Sequence, residues 1–566
     1  MMNNNVHFAT AMNRSIYSVR LESSPTRRRK NRFAITHQPK PPIETPIPLE
    51  SNHNPSHAIV ELTMRCLVLF LTGTIVCWNS LNARCNEIPS RPNIVILYAD
   101  DMGYGDLGIQ NPDSKIPTPN LDKLAMAGMR FTDGHSSSGV CTPSRYAMLT
   151  GRFHWRKFHA IVNSFGPPAI DSELTIAEML KTKGYRTACI GKWHLGWNWN
   201  DIKKPGAVPE PVGTGKDMAF SASAFDWTKP ISGGPLSHGF DYYFGDDVPN
   251  FPPYAWFENN RVITIPSEPL KITAKTAEGN WETRPGPMTP GWDFYAVVPK
   301  LRQQAVDWVQ QQKGRTDPFF LYVPFNSPHA PIIPTSEYVG KSKAGGFGDF
   351  MTQTDDNVGA ILAALEANGF GDNTIVIFTS DNGAERYAYD RLKNFNHRSS
   401  GPLRGLKRDI YEGGHRVPFL VKWTGVVKPN TVSNALVSQV DLMATIASVV
   451  GFDLPADSAH DSHDLLPVWK DNAPSPRHSI VHNTNANAYA MRHDDWVLVA
   501  NKTGAHSAVP DWFDAQNGYT KNDQPGELYN LREDLAQKNN LYSAKPEKVQ
   551  ELTALLEQIR AKGQVR

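Results

Sequence analysis

Cysteine is scarce. There are five in 566 residues (Cys66, Cys77, Cys85, Cys141 and Cys189), scattered and without a CxxC pair. That excludes a disulfide framework and a cysteine-rich metal site. Long apolar runs are missing too. The longest, Cys66 to Trp78, has 13 residues, too few to span a bilayer core, so no transmembrane segment is expected. No repeat or low-complexity tract occurs, which excludes solenoids, collagen and coiled coils. Neither sign of charge dominates, with 58 Lys+Arg against 56 Asp+Glu. The basic excess sits in residues 1–40, where Glu22 is the only acid. The remainder is mildly acidic, and nothing points to nucleic acid.

What is present begins with a leader. The Cys66–Trp78 run has the length of a signal-peptide h-region, with Met64-Arg65 as a short basic start and Ala83 as a small residue for cleavage. The expected organisation is a non-native or disordered extension over 1–63, a signal peptide over 64–83, and export to the periplasm or the exterior. Cys66 and Cys77 leave with the signal peptide, so an odd number of cysteines remains.

The body is 40% hydrophobic and 20% charged, enough for a large packed core. Four short apolar runs end abruptly in polar residues. NIVILYA stops at Asp100-Asp101, YRTACI at Gly191-Lys192-Trp193-His194, PFFLYVPF at Asn326-Ser327-Pro328-His329, and NTIVIFTS at Asp381-Asn382-Gly383. Such runs predict parallel strands covered on both faces, hence an α/β sheet. Helical patterns alternate with them. Val358, Ile361, Leu362 and Leu365 share one face, with Gly369 as a C-terminal stop. SELTIAEMLKTKGY predicts a helix with Ser172 as N-cap and Gly184 beyond its end. Residues 200–300 are rich in loops. From 476 the texture changes: NAYAMRHDDWVLVANK alternates like one antiparallel strand, and KPEKVQELTALLEQIRAK is an amphipathic helix. The expected domains are 90–475, catalytic, and 476–566, a small α+β unit.

Ligands in open α/β sheets bind beyond the carboxyl ends of the strands. Four strand ends here deliver Asp-Asp, Lys/His, His and Asp-Asn to one rim. Asp100, Asp101, Asp381 and Asn382 offer hard oxygen ligands, which select Ca²⁺ or Mg²⁺ over zinc, and irregular carboxylate cages favour Ca²⁺. Each pair alone is also a common loop cap or turn.

The segment CTPSRYAMLTGR, Cys141 to Arg152, resembles the type I sulfatase signature C-x-P-S-R-x-x-x-L-T-G-R at every fixed position. The resemblance extends over about 90–566. PNIVILYADDMGYGDLG, GKWHLG, NSPHAP, SDNG and LRGLKRDIYEGGHRVP are similar to the family's metal-binding and active-site segments, and the last places a lysine at Lys407. The sequence has Leu406 where glycine is frequent and His415 where an aliphatic residue is common, and both are expected near the pocket. The family implies an alkaline-phosphatase-like sandwich, a large mostly parallel sheet flanked by helices with a small C-terminal α+β subdomain. It also implies conversion of Cys141 to Cα-formylglycine by a maturase that reads Cys141-Thr142-Pro143-Ser144-Arg145.

The implied roles follow from charge. Residue 141, hydrated to a gem-diol, is the nucleophile and a metal ligand. One Ca²⁺ on Asp100, Asp101, Asp381 and Asn382 orients it. Arg145, Lys192 and Lys407 hold the sulfate. His329 is the general acid for the leaving alcohol, and His194 takes a proton from the second hydroxyl. The implied activity is hydrolysis of an aryl sulfate or a sulfated carbohydrate. Two readings compete: a formylglycine-dependent phosphodiester or phosphonate monoester hydrolase, and a non-catalytic protein that binds sulfated glycans. Trp197, Trp199, Trp227, Trp256, Trp281 and Trp292 are candidates either for stacking on sugar rings or for core packing.

Overall fold

The computed structural model describes residues 91–212, 217–272 and 274–562. The expected extension, the signal peptide and Cys85 lie outside them. Ten strands form one mixed sheet: β1 Asn93–Ala99, β2 Met129–Phe131, β3 Arg186–Lys192, β4 Tyr242–Asp247, β5 Phe257–Glu258, β6 Arg261–Val262, β7 Phe319–Pro324, β8 Thr374–Ser380, β9 Phe419–Trp423 and β10 Thr431–Ser433. Their order is β10-β2-β9-β8-β1-β7-β3-β4-β5-β6. The four expected strands lie side by side in the middle as β8-β1-β7-β3, all parallel. The parallel strand β4 extends them on one side, and β9 pairs with β8 antiparallel on the other.

Burial on both faces explains why these runs are apolar throughout. Ile94, Ile96 and Tyr98 of β1 enter one core; Val95, Leu97 and Ala99 enter the other. Strand β8 divides the same way, Ile375 and Ile377 against Val376 and Phe378. Side chains alternate across a strand, so a sheet sandwiched by helices needs no polar position. The first core is completed by helices Cys141–Thr150 (α1), Ile176–Thr182 (α2) and Leu442–Val450. The second is completed by Pro119–Met126, Val297–Gln310 and Gly345–Ala367.

Two local expectations need correction. The N-cap of α2 is Thr175, not Ser172. Thr175 Oγ1 accepts from the Glu178 backbone N–H at 3.1 Å, and Glu178 Oε2 accepts from the Thr175 N–H at 2.8 Å. Both Ser172 and Thr175 are followed by a helical pattern, but only Thr175 has a glutamate three residues on to close the capping box. The C-terminal alternation is not one strand but a hairpin, Ala488–His493 and Trp496–Val499, turning at Asp494 with φ 46°. It belongs to a four-stranded antiparallel sheet that starts at Ser479–Asn485 and closes with Glu527–Asn530. The terminal helix Pro546–Lys562 buries Leu552, Leu556 and Ile559, as its amphipathic pattern predicts.

Of the six tryptophans, Trp197, Trp199 and Trp227 are core. Trp256, Trp281 and Trp292 are half-buried and pack against the second core. Among the described residues no helix is long and apolar enough to cross a membrane.

Candidate active site

Parallel strands put their carboxyl ends on one rim. Ala99 pairs with Ser380, so Asp100-Asp101 and Asp381-Asn382 emerge as neighbours. Asp381 Oδ1 accepts from the Asp101 N–H at 3.2 Å, and Asn382 Nδ2 donates to Asp101 Oδ1 at 2.7 Å. The turn after β1 is tight enough to hold Asp101 at φ 65°. His194, after β3, sits at φ 52°. Left-handed backbone at non-glycine residues is costly and gathers at functional sites. Gly191 leads into that turn at φ 133°, where a Cβ would lie 1.9 Å from the Pro324 carbonyl oxygen. Only glycine lets β3 and β7 converge there.

Cys141 is the first residue of α1 and is 4% exposed. One turn on, Arg145 donates through Nε and Nη2 to Asp381 Oδ2 at 3.2 and 2.8 Å, and its Nη1 donates to the Lys192 carbonyl at 3.2 Å. Lys192 Nζ lies 2.5 Å from Asp100 Oδ2, and Lys407 Nζ lies 2.6 Å from Asp101 Oδ1. His329 Nε2 stands 3.7 Å from Asp101 Oδ2, while its Nδ1 donates to the Ala330 carbonyl at 2.5 Å. His194 Nε2 donates to the Val162 carbonyl at 3.0 Å, which leaves its buried Nδ1 without a hydrogen-bond partner. The structure thus brings Asp100, Asp101, Asp381, Asn382, Arg145, Lys192, Lys407 and His329 into one contact network around the N-terminus of α1. His194 joins it through the backbone, its carbonyl accepting from Thr142 Oγ1 at 2.9 Å.

Electrostatics follow from that packing. Burial and the like charge of Asp100 push Asp381 up to about 6, against Arg145 and Lys192. Burial works against ionised Asp101 as well, but Lys407 and His329 outweigh it and hold that carboxyl below the usual range. Lys407 is raised, because Asp101 and Glu385 overcome its burial. Burial, with Lys407 and Lys192, lowers His329 to about 4 although Asp101 opposes. His194 falls well below its ordinary value through burial, Lys192 and Arg145. Burial raises the Cys141 thiol despite both lysines. An unmodified thiol there stays protonated and is a poor nucleophile.

The carboxylate group fits a hard cation. Asp100 Oδ1 and Asn382 Oδ1 are buried and have no hydrogen-bond partner. Orphaned oxygens beside crowded carboxylates are costly unless a cation takes them. Asp100, Asp101 and His329 also offer ligand atoms within 4.8 Å of one another.

Sequence reasoning missed Arg284, Phe251 and Asp247. The Arg284 guanidinium lies over the Phe251 ring at 3.7 Å. Phe251 packs edge-on against His194. Asp247 Oδ1 accepts from the His194 N–H at 3.2 Å. Asp247 ends β4, a strand whose short YYFGDD run was not distinguished from the surrounding loops. Arg284 sits in a Pro/Gly loop without motif, so nothing local announces it. Of the two departures near the pocket, Leu406 is buried against Ala384, Ala388 and Tyr389. His415 points away from it, toward His135 and His482.

Comparison with known proteins places the chain in a family. Residues 92–452 match the family model "Sulfatase", and residues 406–563 match "N-sulphoglucosamine sulphohydrolase, C-terminal". The chain is 31% identical over 538 residues to an N-acetylgalactosamine-6-O-sulfatase of Bacteroides thetaiotaomicron, spanning 88% of this chain and 98% of that one. It is 34% identical over 402 residues to N-acetylgalactosamine-6-sulfatase of Mus musculus, spanning 67% of this chain and 66% of the relative. A solved Bacteroides thetaiotaomicron structure, reported with the metabolism of multiple glycosaminoglycans, superposes with TM-score 0.69 at 30% identity, covering 83% of this chain and 100% of the other.

Proposed function

Because the chain belongs to the sulfatase family, enzymes that hydrolyse sulfuric esters, we propose that its substrate is a 6-O-sulfated amino sugar and that it works through formylglycine at position 141 with one bound Ca²⁺. The reading rests on one observation above all. Three cations, Arg145, Lys192 and Lys407, and four oxygen-bearing side chains, Asp100, Asp101, Asp381 and Asn382, converge on a buried residue 141 at a helix N-terminus. That arrangement suits a small tetrahedral anion far better than an extended neutral ligand. Support for the sugar comes from the names of the two N-acetylgalactosamine-6-sulfatases it is similar to.

When present, Ca²⁺ supplies Lewis-acidic charge to the sulfate oxygens, and the hydrated formylglycine supplies one hydroxyl to attack sulfur and a second to expel sulfate. The residues of the chain do the rest. Lys192 and Lys407 bind sulfate oxygens and release part of their hold on Asp100 and Asp101 as they do so. Arg145 fixes Asp381 and the wall behind residue 141. His329 delivers a proton from Nε2 to the leaving oxygen, its ring fixed by the Nδ1 bond to Ala330. His194, kept neutral by burial, offers the free Nδ1 lone pair to a proton from residue 141. Arg284, stacked on Phe251 beside His194, is assigned to an anionic neighbour on a longer glycan. We further propose export through the 64–83 segment and modification by a maturase that reads Cys141-Pro143-Arg145.

The test uses the full chain produced with a formylglycine-generating enzyme. The tryptic peptide Phe131–Arg145 should carry aldehyde in place of thiol. Sulfate release should be fastest from N-acetylgalactosamine 6-sulfate within a panel of sulfated sugars. An active preparation with residue 141 wholly unmodified would overturn the mechanism. Faster turnover of a phosphodiester or phosphonate monoester bearing the same leaving group would overturn the reaction. No turnover of any ester, with glycan binding retained, would leave a binding protein.

A further inference from the structure

Behind the nucleophile segment lies a second cluster that the reaction does not use. His135 stands six residues before Cys141, His415 ends the short helix Glu412–His415 that follows the Lys407 loop, and His482 is in the first strand of the C-terminal sheet. All three rings are buried, at 0%, 1% and 1% exposure.

Their partners fix where the protons are. Asp133 Oδ1 lies 2.7 Å from His135 Nε2, and Asp133 is itself paired with Arg416 at 3.3 Å and Arg492 at 2.9 Å. A carboxylate held ionised between two guanidinium groups can only accept, so His135 carries its hydrogen on Nε2 and presents a bare Nδ1. The Ile410 carbonyl, 3.4 Å from His415 Nε2, also only accepts. His415 therefore presents a bare Nδ1 as well. These two nitrogens face each other at 3.1 Å. Two lone pairs at that distance repel unless a proton or a metal cation lies between them. The His482 ring lies parallel to His415, with 3.4 Å between centroids, and both of its nitrogens are buried without a hydrogen-bond partner. One nitrogen from each of the three rings falls within 4.8 Å of the others.

We propose that His135, His415 and His482 bind a transition-metal dication of the zinc class, at a site separate from the carboxylate cage that takes the hard cation. Two imidazole nitrogens, each about 2.0–2.1 Å from zinc, sit about 3.1 Å apart when the angle at the metal is about 100°. That matches the observed gap; His482, stacked face to face on His415, completes the set by turning its ring edge toward the ion. Neutral imidazoles suit zinc and its neighbours and discriminate against calcium. Asp133 behind His135 is the carboxylate that orients a metal-bound histidine and strengthens its lone pair. The site ties together three segments: the one that leads into Cys141, the loop that carries Lys407, and the C-terminal sheet. Its role is to position them. The inference stands independently of the sulfatase chemistry.

Metal analysis of the full chain, purified without chelator and then incubated with zinc chloride and dialysed, tests it. The expected result is about one zinc per chain, with a zinc-edge X-ray absorption spectrum showing imidazole nitrogens at about 2.0 Å. His482→Ala and His415→Ala should each lose at least about nine-tenths of that zinc, as loss of a ligand from a three-histidine set predicts. Asp381→Ala, which damages the carboxylate cage, should keep it. With calcium kept in excess throughout, a zinc-selective chelator should lower Tm, and adding zinc should restore it. Three results would overturn the proposal: no zinc retained by the wild type, an all-oxygen shell around it, or zinc lost in Asp381→Ala and kept in His482→Ala. Should the histidine variants fail to fold, the wild-type spectrum decides alone.

Discussion

His329 carries the sharpest prediction at the scale of single residues. A sugar alkoxide needs a proton as it leaves, whereas a nitrophenolate needs far less help. His329→Ala should therefore slow a sugar sulfate by ~10²–10⁴-fold more than a nitrophenyl sulfate, measured as paired kcat values. Lys192→Ala and Lys407→Ala should slow both, since they hold the sulfate. Equal losses for His329→Ala would assign it to sulfate binding. The pH dependence has a definite sign. Burial lowers this ring to about 4, so its acid form is plentiful below that value and declines as pH rises through it. The kcat/KM for the sugar sulfate should show that descending limb, and the nitrophenyl sulfate should not. A profile with the same limb for both substrates would place the titration elsewhere.

Among the elements, α2 separates sequence pattern from structure. Thr175 and Glu178 satisfy two N-terminal amides reciprocally, whereas Ser172 is exposed in the preceding loop. Thr175→Ala should cost ~1 kcal/mol, as lost N-caps usually do, read as a shift of the urea midpoint at unchanged slope. Ser172→Ala should leave the midpoint where it is; the reverse ranking would refute the assigned cap. Helix α1 shows the same dependence on context. Its ten residues are all buried, so its motif is at once a chemical signature and a core helix. Changes at Tyr146 or Leu149 would act through packing.

The whole molecule gathers unlike charges at one rim, and the proposed cation would reconcile them. Asp381 is driven up to about 6 by burial and Asp100 in the cation-free site. Its carboxyl is then protonated more readily folded than unfolded. Asp381's own contribution to the stability of the cation-free protein therefore falls as pH rises from about 4 to about 6. Chelating calcium should lower Tm, and the gap between loaded and chelated protein should be wider at pH 7.5 than at pH 5. A gap that narrows with rising pH would contradict the cage assignment. Asp381→Ala should abolish most of that gap, because the crowded carboxylate is then gone.

The four central strands and the rim where they end were legible in one dimension. Strands buried on both faces are apolar without interruption, and polar residues can begin only where the chain leaves the sheet. Run ends therefore mark the rim, and Asp100, Lys192, His329 and Asp381 could be found from one-dimensional pattern. The twelve residues from Cys141 carry the resemblance for a different reason: the proposed modification depends on local sequence, which a one-dimensional pattern preserves. What only the tertiary structure decided were the contacts between distant segments. Arg284 reaches the pocket from a loop without periodicity. The hairpin at Asp494 depends on a single left-handed residue. His135, His415 and His482 meet across 347 positions of chain, and each alone looks like an ordinary core histidine. Packing brought them together, and no local rule relates residues so far apart.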